Sequence, residues 1–273
     1  MQTDNFYFLL EQALISSDAD EKIARTQTIW RRHLSGSLNR EKTVREYDVA
    51  LAGRPEKPEL VAHTNVRQRK LSSDEGFAAL LHAICHIEFN AINLALDAAW
   101  RFRTLPEQFN IDWLKVAFEE TEHFVLMRDR LRAYGYDYGD FPAHGNLWEM
   151  AYKTAFDPLL RMALVPRVLE ARGLDVTPGI RNKIEQRKDK ETCAALDVIY
   201  RDEVGHVKIG NYWYQYLCRE RGLEPIALFR NLLKQYDMFV FRGYVNIEAR
   251  ERAGFSRFEL DLLENFEHSI QAA

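Results

Sequence analysis

Two short segments repeat one arrangement of side chains that can grip a cation: Glu120-Thr121-Glu122-His123 and Glu203-Val204-Gly205-His206. A Glu and a His three residues apart on a helix share a face, so a carboxylate oxygen and an imidazole nitrogen can hold one ion. Each Glu also follows an acid, Glu119 or Asp202. A single Glu-x-x-His is an ordinary chance pattern in a chain with 41 acidic residues and 8 His. The duplication sets these two apart. Glu88 precedes Glu120 by 32 residues and Glu170 precedes Glu203 by 33, so Glu, a long interval and Glu-x-x-His occur twice. One Glu from each of two helices and one Glu-x-x-His from each of two others is the ligand set of a carboxylate-bridged two-metal site in a four-helix bundle.

The neighbours of these residues point to burial. Val116, Ala117, Glu120, His123, Phe124 and Met127 share one helical stripe, and Leu196, Ile199, Tyr200, Glu203, His206 and Val207 another. Charged groups inside apolar stripes are costly unless they are paired or bind metal. Six ligands (Glu88, Glu120, His123, Glu170, Glu203 and His206) without a thiolate suit two iron ions, with manganese as the alternative, better than copper or a structural zinc. Glu120 and Glu203 are the nominated bridges. Glu149 is the rival to Glu170, which is preferred because it reproduces the interval. Asp202 and Glu119 are candidate acceptors for the outer nitrogen of a ligand His. Tyr200 either hydrogen-bonds the site or packs. Cys85, one turn before Glu88, reads as a small buried hydrophobe.

Strand-like runs are nearly absent, so an all-α fold is expected. Residues 1–70 read as a helical accessory segment with helices over 4–15 and 18–34 and a Pro-punctuated linker from Gly53 to Pro58. Residues 71–222 hold the four-helix bundle, and 223–273 a helical extension packed on it. The first bundle helix follows the Ser72-Ser73-Asp74-Glu75 cap and runs to Phe102. The second starts near Asp112 and ends before Gly135. The third runs from about Leu147 to Ala171, ending at Gly173, with a kink at Pro166. The fourth follows Pro178-Gly179 and continues to about Arg221. Between the second and third, residues 135–146 form a loop long enough to run along a whole bundle. Its His144 and Tyr138 are candidate substrate-binding residues, loops on a rigid scaffold being where such groups concentrate. Gly210, on the His206 face, leaves room for a substrate or dioxygen or permits close helix contact. The aromatics Tyr236, Phe239, Phe241 and Tyr244 read as packing groups for the extension.

Composition narrows the partners. The chain has 273 residues, 47% of them apolar, and a net charge of −4, which gives no global attraction to nucleic acid or membrane. Basic clusters at Lys22 to Arg45, Arg67 to Lys70 and Arg181 to Lys190 read as solvated helix ends and loops. No apolar run suggests a membrane span, and the N-terminus lacks the basic start of a signal peptide, so a cytoplasmic location is expected. Three scattered cysteines form no framework or thiolate site.

Four stretches carry a resemblance: His82-Ala-Ile-Cys-His-Ile-Glu88, Glu119-Glu-Thr-Glu-His-Phe124, Leu164-Val-Pro-Arg-Val-Leu-Glu-Ala-Arg-Gly173 and Tyr200-Arg-Asp-Glu-Val-Gly-His206. Together they resemble an uncharacterised bacterial ferritin-like family, known as a domain of unknown function, within the ferritin-like di-iron carboxylate superfamily. The resemblance implies a ferritin-like four-helix bundle with one long crossover, and the six ligands named above. Relatives in that superfamily include storage proteins, peroxidases, desaturases, hydroxylase subunits and a tRNA hydroxylase, so the fold does not choose the reaction. The expected function is an oxygen-dependent di-iron or iron/manganese oxidoreductase, foremost a hydroxylase acting on dioxygen and a substrate still to be found. The competing expectation is a non-catalytic metal-binding or structural protein.

Overall fold

The computed structural model describes residues 4–41, 52–67, 69–238 and 244–264. Among them, regular structure is helical apart from two isolated β-bridges, Asn5 with Asn39 and Leu60 with Ala143. The all-α expectation therefore holds. The chain divides into two compact units, Met1–Ala155 and Phe156–Ala273, a division inside the 71–222 stretch. Phe239, Phe241, Arg45 and the end of the last expected helix at His268 lie outside the described residues.

In the first unit, α1 (Phe6–Ile15) is capped by the Asn5 side chain, which accepts from Phe8 N, and α2 (Ala19–Leu34) by Asp18, which accepts from Glu21 N. Buried Lys22 of α2 donates to the carbonyls of Ala13 and Leu14, satisfying the open C-terminal end of α1. Helix α3 (Asp74–Arg101) begins at the Ser73 cap. Helix α4 (Glu107–Ala133) starts five residues before the expected Asp112, because Pro106 pre-sets the entry to its first turn. A short helix, α5 (Asn146–Lys153), closes the unit.

Helices α3 and α4 form an antiparallel pair. Asn110 Nδ2 donates to Ala99 O at 2.8 Å near the turn, and the rings of Phe77 and Tyr134 meet at 4.9 Å at the far end. Helix α1 packs on α3, α2 on α4, and α1 on α2. The segment expected to be accessory thus supplies two of four mutually packed helices. Phe6, Leu10, Leu14, Phe77, Leu81, Phe109, Leu114 and Met127 are fully buried. By length and composition α3 could cross a membrane, a correction to the reading that no stretch could. Its most apolar window is 78% buried within the protein, the pattern of a core helix.

The second unit departs most from expectation. The third bundle helix is not one element from Leu147. Asp157 precedes Pro158 and takes an extended backbone (φ −143°, ψ 115°), which the following proline ring favours, so the chain breaks there. Helix α6 (Pro158–Leu164) then runs into a π-helical segment, Val165–Glu170, and on into α7 (Ala171–Gln186). The distortion expected at Pro166 is this π segment: proline has no N–H for the regular ladder, and Ala171 N bonds back five residues to Pro166 O.

Helix α7 passes through Gly173 and Pro178 instead of stopping between them. Pro178 cannot donate to the carbonyl of Leu174, and Asn246 Nδ2 takes that acceptor at 3.2 Å. The real stop comes at Arg187 and left-handed Lys188 (φ 62°), so α8 (Lys190–Glu220) starts at its Asp189 cap and not after Gly179. Helices α7 and α8 are antiparallel: Arg181 Nε bonds Asp197 Oδ1 at 2.5 Å, and farther along Pro166 faces Gly210. Helix α9 (Pro225–Gln235) packs on α6 and α8, α10 (Ile247–Arg252) on α7 and α8, and α11 (Arg257–Glu264) on α9 and α10. Arg250 anchors them with a buried two-pronged bond to Asp175 at 2.9 and 2.7 Å.

Candidate metal centre

Each unit contributes one half of the expected ligand set, and each half is built by an antiparallel pair. In the first unit, the contact of Ala99 with Asn110 at one end and Phe77 with Tyr134 at the other fixes the register. That register sets Glu88 of α3 opposite Glu120 and His123 of α4. Glu120 and His123 fall on the α4 face that packs against α3 because they are three residues apart in the apolar stripe.

The three side chains are buried and their ligand atoms lie within 4.8 Å of one another. His123 Nδ1 is 3.1 Å from Glu120 Oε2 and 3.7 Å from Glu88 Oε2. Glu88 Oε2 is buried without a hydrogen-bond partner among the described residues. Burial and the neighbouring Glu120 charge push the Glu88 carboxyl well above the usual range. Burial works against a charged His123, but the charge and hydrogen bond of Glu120 and the charge of Glu88 outweigh it and push the imidazole up to about 11. Two buried carboxylates demand a positive charge between them, and a protonated imidazole is the partner the protein itself can offer. A metal ion answers the same demand and gives Glu88 Oε2 a partner. The donor set therefore fits a cation.

In the second unit, Glu203 and His206 of α8 present Oε1 and Nδ1 3.5 Å apart, His206 buried and Glu203 half-buried. Glu170 ends the π segment. With Pro166 facing Gly210 and Arg181 bonded to Asp197, the antiparallel register carries Glu170 to the level of His206, one turn from the Pro166 contact. Glu149, the rival, is exposed and sits on α5 in the first unit.

The flanking candidates have partners of their own. Glu119 accepts from Lys115 Nζ at 2.6 Å, and Asp202 from Arg201 Nε at 2.9 Å. The Tyr200 hydroxyl accepts from Asn246 Nδ2 at 2.9 Å, the amide that also satisfies Leu174. Cys85 is buried and its thiol is pushed up by burial first and the Glu88 charge second, so it packs as a thiol.

Tyr138 lies in a cluster of rings: Phe124 at 5.1 Å, Phe89 at 5.4 Å and His82 at 5.5 Å. Its hydroxyl is 2.9 Å from His86 Nδ1, and His86 Nε2 is 3.1 Å from the carbonyl of His144. The His144 ring meets His63 edge-on at 4.9 Å. Gly139 N donates to His82 Nε2, which places the neutral ring's proton on Nδ1. Burial lowers both His82 and His86 to about 4, so the two rings are neutral. The sequence reading gave these two His residues no role. Their four-residue spacing on α3 was the available signal.

Gly210 leaves no free space. A Cβ there would come within 2.3 Å of Pro166 Cβ, so the residue permits a helix contact, and the reading of a pocket for dioxygen or substrate is withdrawn.

An all-helical chain carrying a buried carboxylate and imidazole cluster is what fold and site define. The chain belongs to the family described as Protein of unknown function (DUF455), which matches residues 15–261, a span covering every candidate ligand. It is also similar to an "Uncharacterized protein" of Haemophilus influenzae, 53% identical over 229 residues, or 81% of this chain and 80% of that protein. No solved structure matches.

Proposed function

We propose that Glu88, Glu120, His123, Glu170, Glu203 and His206 bind two metal ions, iron or iron with manganese, in a ferritin-like fold. On this reading the chain is an oxygen-dependent oxidoreductase, most plainly a hydroxylase. The observation that carries the proposal is Glu88 Oε2, a buried carboxylate oxygen without a hydrogen bond among the described residues, beside a Glu-x-x-His pair. The repeat of the same three residue types in the second unit supports the count of two ions. When bound, such ions supply redox equivalents and a place for dioxygen to react. The chain's own task is to hold them. Glu88, Glu120, His123, Glu170, Glu203 and His206 would hold them. Four carboxylates balance the four positive charges of two divalent ions, which allows the centre to be buried.

A second reading, a metal-binding protein without turnover, draws on a specific observation. Gly210 and the 135–146 loop were the two features expected to admit a substrate, and both are filled by side chains, Pro166 in one case and Tyr138 in the other.

Oxygen uptake by the anaerobically prepared Fe(II) protein separates the two readings. The oxidoreductase reading expects uptake in proportion to bound iron, lost in Glu120→Ala and His206→Ala. Uptake no faster than that of free Fe(II), and unchanged in the variants, would leave the structural reading.

A further inference from the structure

The π segment that ends at Glu170 is held from two sides by groups that coordinate nothing. On one side Pro166 fills the notch at Gly210. On the other, Arg167 is fully buried with its guanidinium carbon 4.2 Å from the ring centres of Tyr214 and Phe229 and 4.9 Å from that of Phe255. Its Nη2 bonds Glu259 of α11, itself 2% exposed and held by Ser256 N and Oγ at 2.8 Å. Nε and Nη1 of Arg167 meet no acceptor among the described residues, so Glu259 is the acid that fixes the guanidinium.

We propose that Arg167 is a positioning residue for Glu170, and that the C-terminal helix α11 sets the place of Glu170 through the Arg167–Glu259 pair. This rests on the reading of Glu170 as a ligand. A π turn is wider than an α turn, and here the proline withholds one amide, so side-chain anchors decide where the segment sits. Pro166 O accepts from the amide of Ala171, directly after Glu170, which ties the anchored residue to the ligand through the backbone. Neutralising Glu259 leaves a buried guanidinium without its counter-charge. Arg167 then turns to find another acceptor, and the segment shifts with it.

Cobalt(II) titration followed by visible absorption tests the proposal. Wild type should take up two ions. Glu259→Gln should keep one and bind the other about 10- to 100-fold more weakly, the usual cost of losing a supporting contact behind a ligand. Glu170→Ala should show the same loss, and the double variant no further loss. Gly210→Ala, which displaces Pro166 from the opposite side, should weaken the same ion and serves if Glu259→Gln does not fold. Leu233→Ala, in the α9 core, should lower the Tm and keep both affinities. Two ions at wild-type affinity in a folded Glu259→Gln or Gly210→Ala protein would overturn the inference alone. So would losses that add in the double variant, or a matching loss in Leu233→Ala. A wild type that takes up no cobalt would overturn the metal reading and this inference with it.

Discussion

Glu88 Oε2 stands 3.7 Å from His123 Nδ1, close enough to feel its charge and too far for a hydrogen bond. The pair brings α3 and α4 together around a charge that the protein alone meets only with a proton. With His123 pushed up to about 11, the imidazole holds a proton at neutral pH, and a cation must displace it. Metal affinity should therefore rise with pH, by about tenfold per unit for each proton released, throughout the range below the His123 value. Titrations at several pH values between about 6 and 9, with proton release followed in weak buffer, measure this. Affinity independent of pH would show that the metal does not compete with this proton.

Two glycines one turn and a residue apart on α8 should answer oppositely to the same substitution. Gly210→Ala forces a Cβ to 2.3 Å from Pro166 and should cost about 1–3 kcal/mol by overpacking. Gly205 faces open space, and Gly205→Ala should gain up to about 1 kcal/mol from helix propensity. Urea denaturation of the two variants gives both signs.

Tyr138 straps the loop to α3 and α4. Tyr138→Ala should cost about 3 kcal/mol, as for a deleted core aromatic. Tyr138→Phe, which removes the bond to His86, should cost about 1 kcal/mol. Metal content should stay at the wild-type level in the Phe variant. A stable Tyr138→Ala protein would show that the ring is not structural and would return the loop to the list of binding elements.

Much of this was legible in the sequence because it depended on local chemistry. Helical spacing put Glu120 and His123 on one face, and the caps at Ser73 and Asp18 marked two helix starts to within a residue. What was not legible depended on distant partners. Gly173 and Pro178 looked like a helix end because the sequence could not show that Asn246 would satisfy the carbonyl of Leu174. Gly210 looked like space because Pro166, 44 residues earlier, fills it. Residues 1–70 looked accessory because their apolar faces were short, yet Phe6, Leu10 and Leu14 are fully buried in the first unit's core. Arg167 gave no signal, since a buried arginine is recognisable only once its rings and its acid are assembled.

Metal content tests the central claim most directly. Protein loaded with Fe(II) under anaerobic conditions, freed of excess metal and analysed by mass spectrometry of the elements should hold about two ions per chain. Glu120→Ala, His123→Ala, Glu203→Ala and His206→Ala should each lower that number sharply while the far-ultraviolet circular dichroism stays helical. Full metal content in all four folded variants, or none in the wild type, would contradict the account.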